Sequence, residues 1–491
     1  MTNDPSFSDK PEFNALLKEK DRLKDLSITK LFFEQPNRAH EFVISEANIE
    51  LDYSRHAIDN EGIATLLQIV DATNGHEFAD ELFNGSEVNF TEKRPALHFL
   101  FRSKTHKKKT EEHTQASQIQ EKMRSWVESI ISGNKKGFTG KPFTDIVNLG
   151  IGGSDLGPKL VFEALRNFRK HLDCHFISNL DPEDLKATLS KLSPETTLFV
   201  VCSKSFTTEE TLINAENARD WLLEAGADGL KNHFVAVTEN TEAAHNFLIP
   251  PENCLFLPKW IGGRYSIWSS VGLTCALGIG WQSFSEFLAG AEAMDTHFKS
   301  APPDKNLPIL MSLLELWYRN CWETQVQAVI PYSYDLRSLP TYLQQLAMES
   351  NGKSALATGE FCRKDTASVV WGADGINGEH SFYQFLHQGT ALCPIDFILP
   401  LSSISGESTQ HAKMVAHCLA QARALMIGRS NDQSYNSLIK EGLSEEFAQD
   451  LAKHKRMPGN RPCNIISLES LNPTTLGSLL ALYEHKTYFS A

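Results

Sequence analysis

Four hydroxyl side chains and one ammonium fall within the six residues Ser203-Lys204-Ser205-Phe206-Thr207-Thr208. The run before them, Thr197-Leu-Phe-Val-Val-Cys202, is apolar and β-branched, and an amphipathic stretch follows. Strand, polar turn and helix is the order in which an open α/β sheet presents backbone N–H groups to an anion. Ser203, Ser205, Thr207 and Thr208 add O–H donors, and Lys204 adds a point charge suited to phosphate. A phosphate monoester on a small molecule fits such a turn. The same residues also read as an ordinary loop, with Thr207 as helix cap and Glu210 closing a capping box.

A second turn, Gly150-Ile-Gly152-Gly153-Ser154-Asp155, follows a predicted strand over Thr144–Leu149. It is not a dinucleotide fingerprint, because Asp155 holds the third glycine position, and no Gly-Lys-Ser/Thr makes it a P-loop. Its glycines let the backbone come close to a ligand, or serve packing alone. Ser154 places one more hydroxyl at a helix start. Two such loops at neighbouring strand ends suggest a shared sugar-phosphate cradle.

Three further residues carry reactive groups. Ser338-Leu-Pro340 opens a helix that runs through Gln345 to Glu349 and stops at Asn351-Gly352. Glu349 therefore lies at the negative end of the helix dipole, which strengthens a carboxylate as a base. Gln345, four residues earlier, shares its face and can hold a substrate hydroxyl. A surface glutamate offset by Lys353 is the alternative. Trp260-Ile-Gly262-Gly263-Arg264-Tyr265 aims a cation close to backbone, which suits oxyanion stabilisation or stacking on Tyr265 or Trp268. In Asn377-Gly-Glu379-His380-Ser, a histidine stands at the mouth of a helix ending near Gly389. A helix N-terminus favours the neutral imidazole, able to accept or relay a proton, although a capping or core role is the alternative. His171-Leu-Asp-Cys-His175 leads into a predicted strand, where alternate side chains face opposite ways, and lacks the glutamate of a metal helix, so no metal is expected.

These residues need rigid elements beneath them. The chain has 491 residues, too many for one core. Strands are predicted at Thr144–Leu149, His175–Ser178, Thr197–Cys202 and His233–Val237, alternating with helices. A second series is predicted at Val326–Tyr332, Val369–Trp371 and Ala391–Leu399. Such alternation predicts an α/β protein of two doubly wound parallel sheets. The expected organisation is an N-terminal helical segment over 1–115, a smaller sheet domain over 116–282 and a larger one over 283–491. A net charge of −14 argues against a nucleic-acid partner. The basic run Lys104–Lys109 is expected to be a solvated loop. Nine scattered cysteines without a Cys-x-x-Cys pair fit a reducing compartment. With no signal-like start and no apolar run of membrane-spanning length, a cytoplasmic protein without a membrane partner is expected.

In this order, the five segments resemble the glucose-6-phosphate isomerase family, from about Phe13 to Lys486. Two long motifs carry the resemblance, Ile261-Gly-Gly-Arg-Tyr-Ser-Ile-Trp-Ser269 and Gln345-Leu-Ala-Met-Glu-Ser-Asn-Gly-Lys353. It implies two unequal sugar-isomerase domains in a homodimer, interconverting glucose 6-phosphate and fructose 6-phosphate without a cofactor. Gly153, Ser154, Ser203, Lys204, Ser205 and Thr208 would hold the phosphate, and Gln345 the sugar hydroxyls. Glu349 would move the proton through a cis-enediol, Arg264 would stabilise the enediolate, and His380, shared across the interface, would assist ring opening.

Departures from the family pattern also carry expectations. Lys259 precedes the Trp-Ile-Gly-Gly-Arg run where an acidic or polar residue is usual, and would shift Arg264 or take another partner. Glu379 replaces a glutamine beside His380 and would favour the charged imidazole. The family's Phe-Asp-Gln-x-Gly-Val-Glu-x-x-Lys motif does not follow Lys486 in this sequence. The second reading is therefore a sugar-phosphate-binding protein of the same fold with impaired turnover.

Overall fold

Runs of Val, Ile, Leu and Phe with few charges make strands buried on both faces, and helices between such strands produce parallel sheets. The computed structural model describes residues 10–103 and 110–491, so the basic run at 104–109 lies outside the described residues. Along the chain the strands are β1 (Val43–Glu46), β2 (Ile49–Arg55), β3 (Asp145–Leu149), β4 (Asp173–Ile177), β5 (Thr197–Cys202) and β6 (Phe234–Thr238). They continue with β7 (Cys254–Phe256), β8 (Val326–Pro331), β9 (Val369–Trp371), β10 (Ile395–Ser402) and β11 (Cys463–Ser470).

Two compact units divide the chain. One comprises Met1–Phe78, Ser300–Leu471 and His485–Ala491, the other Ala79–Lys299 and Asn472–Glu484. In the second unit the strand order is β4-β3-β5-β6-β7, with all neighbours parallel. Every residue of β5 and β6 is buried. The chain adds β4 on one side of β3 and then β5 on the other. The carboxyl ends of β3 and β5 therefore form a topological switch point, where ligands of open α/β sheets bind. The glycine turn leaves β3 there and the hydroxyl-rich turn leaves β5.

In the first unit the order is β1-β2-β11-β10-β8-β9. Strands β11, β10, β8 and β9 are parallel, over a core of Ala328, Ile330, Phe397, Leu399 and Ile465. The other edge differs from the reading of residues 1–115 as helices and polar connections. β1 and β2 form an antiparallel hairpin, and β2 pairs antiparallel with β11. Its turn places Ala47 and Asn48 at φ 48° and 66°, the left-handed pair of a tight hairpin. Alanine there carries no glycine signal, so only the alternation Ile49, Leu51, Tyr53 marked the strand. β7 and β11 were likewise absent from the sequence reading. The expected helical character is present beside this hairpin, at Pro11–Leu23 and Asn60–Ala72.

Candidate active site

The hydroxyl-rich turn is built by its neighbours in the sheet. Thr238 Oγ1 and the Glu239 amide both donate to the Lys204 carbonyl at 3.0 Å. Asn240 Nδ2 donates to the Ser205 carbonyl at 3.2 Å. These residues follow β6, and sequence reasoning missed them. The signal was available as another polar cluster at a strand's carboxyl end. Phe206 is buried with φ 54°, an uncommon conformation for a bulky residue, and it turns the chain so that hydroxyls flank it on both sides.

The capping-box alternative is not what forms. Thr208, not Thr207, is the N-cap of the helix Glu209–Glu224, and its side chain caps nothing. Its hydroxyl lies 3.0 Å from that of Ser203, while Ser205 and Thr207 share a hydrogen bond of 2.6 Å. A 16-residue helix thus begins without a side chain on its first amides, beside four hydroxyls. That is the donor set an anion requires. Lys204 is half-buried, and its ammonium donates to the carbonyls of Lys259 at 3.0 Å and Ile261 at 2.8 Å. Burial, aided by the charge of Arg94, holds it below the usual lysine range.

Lys204 thereby fastens the cradle to the turn that carries Arg264. Lys259 is tied through its backbone, since Arg94 Nη1 also donates to its carbonyl at 2.6 Å. Its exposed side chain is not what holds this turn. Gly153 meets the same turn from the other side. A Cβ on it would lie 2.0 Å from the Gly263 carbonyl oxygen, so a glycine here is required by close approach of two backbones. The packing alternative accounts for Gly153, and Gly152, at φ 60°, bends the chain into that approach. Ser266 Oγ completes the join, donating to the carbonyls of Gly263 at 2.6 Å and Gly153 at 3.4 Å. Arg264 lies in the 3₁₀ turn Gly263–Tyr265 with its guanidinium 5.6 Å from the Tyr265 ring centre. Ser154 ends a 3₁₀ turn whose carbonyl accepts from Asn148 Nδ2 at 3.0 Å.

Behind Ser154, the buried Asp155 leaves Oδ1 without a hydrogen-bond partner among the described residues. Burial pushes its carboxyl up to about 6, against the pull of Lys159 and a bond from Ser178. The folded state then binds a proton that the unfolded chain releases near pH 3.8. This contribution is complete below pH 3.8 and lost as pH rises through about 6, roughly 3 kcal/mol in all. Asp155→Asn is expected to flatten the stability profile between pH 4 and 6 in urea melts. An unchanged slope would contradict the assignment.

Glu349 and Gln345 lie in the other unit. The helix starts as expected at Leu339, but after Leu343 it widens into a π-helix over Gln344–Glu349. Such insertions are rare and frequent at functional sites. Gln344 Nε2 bonds the Val370 carbonyl at 3.1 Å, tying this segment to β9. Asn351 Nδ2 donates to the Thr487 carbonyl at 3.1 Å and fixes the helix end. Glu349 is exposed and Gln345 half-buried. Lys353 stands at the same helix end, where its charge opposes the dipole. Its ammonium bonds the carbonyl oxygens of Glu349 and Ser350 and so serves the helix C-terminus.

His380 is exposed, in the same unit, and its placement corrects the expectation. It is the C-cap of a one-turn helix, Gly375–Glu379, and not the first turn of the next helix, Tyr383–Gln388. Glu379 also faces away from it. Its carboxylate bonds the Tyr332 hydroxyl at 2.8 Å and His417 Nδ1 at 3.0 Å. Of the pair considered for metal binding, His175 instead bonds Asp145 at 2.9 Å across adjacent strands.

A hydroxyl-rich turn at a parallel-sheet switch point in one unit, and a carboxylate on a π-helix tied to the parallel strands of the other, are features of an α/β enzyme of the sugar-isomerase class. The family model for phosphoglucose isomerase matches residues 52–491. A glucose-6-phosphate isomerase of Saccharophagus degradans is 44% identical over 98% of this chain and 87% of its own length. One from Thiobacillus denitrificans is 41% identical over 97% of this chain and 88% of its own. The crystal structure of a glucose-6-phosphate isomerase from Chlamydia trachomatis superposes with a TM-score of 0.87 and 30% identity, covering 99% of this chain and 91% of that one. The chain belongs to the phosphoglucose isomerase family, whose activity is an aldose–ketose isomerisation.

Proposed function

We propose that this chain interconverts glucose 6-phosphate and fructose 6-phosphate, in glycolysis and gluconeogenesis, with the roles that follow. Ser154, Ser203, Lys204, Ser205 and Thr208 hold the phosphate, with Gly153 shaping the loop. The Glu349 carboxylate removes the proton from C2 of the open-chain aldose and returns it to C1, so that the sugar oxidises one of its carbons and reduces the next. No external redox cofactor is needed. Arg264 stabilises the oxyanion of the cis-enediolate, and Gln345 orients the hydroxyls. Homodimerisation presents His380 of one subunit to the site of the other, where it moves the proton that opens the ring. The cytoplasm is the compartment in which such a reaction meets its substrates.

The observation that carries this reading is the uncapped helix at Thr208, whose hydroxyl turns to Ser203 beside the switch point. The shared role of His380 has a direct test. Glu349→Gln and His380→Ala variants, each inactive alone, are refolded together and assayed with a coupled dehydrogenase. A shared site restores about a quarter of the unmodified activity, because half of the dimers are mixed and each carries one intact site. No recovery despite mixed dimers would show that each subunit uses its own histidine.

A further inference from the structure

The helix that presents His380 has one turn, Gly375–Glu379, too short to hold its own position in water. Its cap is local: Asp374 accepts from the Asn377 amide at 3.2 Å and from Asn377 Nδ2 at 2.9 Å, which shapes the turn without fastening it elsewhere. Packing contributes at Gly375, where a Cβ would stand 2.5 Å from the Tyr332 ring. The polar ties to other elements come through Glu379. Its Oε1 accepts from Tyr332, the residue after β8, at 2.8 Å. Its Oε2 meets Nδ1 of His417, on the helix Ser408–Ile427, at 3.0 Å. Tyr332 is itself braced by the Tyr383 hydroxyl at 2.9 Å, on the helix that follows His380. Burial keeps the Tyr332 hydroxyl protonated and therefore able to donate.

We propose that Glu379 is a positioning residue for His380, its carboxylate being divided between Tyr332 and His417 so that the one-turn helix holds the imidazole in one place. The proposal rests on the reading that His380 opens the sugar ring. A carboxylate suits this position because both oxygens accept, one from a phenol and one from an imidazole N–H. The glutamine usual in the family keeps one acceptor and places an NH₂ on the other side. In this chain, therefore, His417 is part of the support for His380. It is on the surface, with 56% of its side chain exposed, whereas that of Glu379 is 10% exposed.

The test separates ring opening from the rest of catalysis. Enzyme-catalysed exchange between the anomers of glucose 6-phosphate is measured by NMR, beside kcat, KM and the affinity of an open-chain sugar-acid phosphate inhibitor. Glu379→Ala and His417→Ala are expected to slow anomer exchange by about tenfold or more, as misplacement of a catalytic group does. The affinity of the open-chain inhibitor should stay within about twofold, since it needs no ring opening. Glu379→Gln should restore most of the exchange rate. If His380→Asn slows the exchange but Glu379→Ala and His417→Ala do not, the positioning role is wrong and the reading of His380 stands. If His380→Asn leaves exchange unchanged, the reading of His380 fails first. Loss of inhibitor affinity in parallel with exchange would mark Glu379 as merely structural, which also overturns the proposal. His417→Ala keeps the test decisive should Glu379→Ala not fold.

Discussion

Glu349→Gln is expected to reduce isomerisation by roughly a thousandfold or more while sugar-phosphate binding persists, because it removes a general base and keeps its shape. Three features of the chain make the effect this large. The carboxylate stands on the π-helix Gln344–Glu349, whose widened turn is anchored by Gln344 on β9 and closed by Asn351 on Thr487. Glutamine fits the same backbone and the same exposed position, so the fold is not at issue. Lys353, the nearest cation in sequence, bonds the carbonyl oxygens of the helix end, an arrangement the substitution leaves as it is. The phosphate contacts assigned to Ser203, Lys204 and Thr208 are untouched by the change. Titration calorimetry with an open-chain sugar-acid phosphate should therefore give an affinity near that of the unmodified chain. A coupled isomerase assay gives the rate. A variant that keeps a tenth of the activity would remove Glu349 as the base, and an unmodified chain that binds without turnover would favour the impaired reading.

Arg102→Met is expected to be the more damaging change to stability. The Arg102 guanidinium is fully buried, bonds Asp295 at 2.9 Å, pairs with Glu484 and lies 4.1 Å from the Trp268 ring centre. Trp268 Nε1 donates to the other oxygen of Glu484 at 2.7 Å. Burial already pushes the Glu484 carboxyl up to about 7, and Arg102 is what draws it back toward the charged form. Methionine fills similar space but takes the guanidinium away from two buried carboxylates. Breaking one side of a buried pair in this way costs about 3–5 kcal/mol. For a unit of this size the thermal midpoint should fall by on the order of ten degrees. Adding Glu484→Gln should recover part of the loss, since a neutral amide can stay buried beside Trp268. Calorimetric scans of the single and double variants decide the matter. A midpoint within a degree of the unmodified protein would refute the account.

Trp268 also shows why this cluster bears on chemistry. It closes the Ile261–Ser269 motif whose arginine is proposed to stabilise the enediolate. Tyr265, next to that arginine, packs in a tilted arrangement on the buried His98, with 4.8 Å between ring centres. The motif is therefore held from below by side chains that a reading of the motif alone does not reveal. They lie far away in the sequence, at positions 98, 102, 295 and 484.

Local chemistry made much of the protein legible in its sequence. Hydroxyls after an apolar run, a glycine turn after another, and an arginine between a glycine pair and a tyrosine are contiguous patterns. Each expresses a property of a few residues and needs no knowledge of the fold. The alternation of strands and helices carried the α/β class for the same reason. Long-range pairing decided the rest. Whether Thr208 caps its own helix or faces Ser203, whether Gly153 serves a ligand or the Gly263 backbone, and which way the Glu379 carboxylate turns all depend on partners that only the folded chain brings close. The hairpin at 43–55 is of this kind, because its edge pairing with β11 joins residues more than four hundred positions apart. Short-range propensity sets what a segment is able to form, and burial against distant neighbours selects which of those forms it takes.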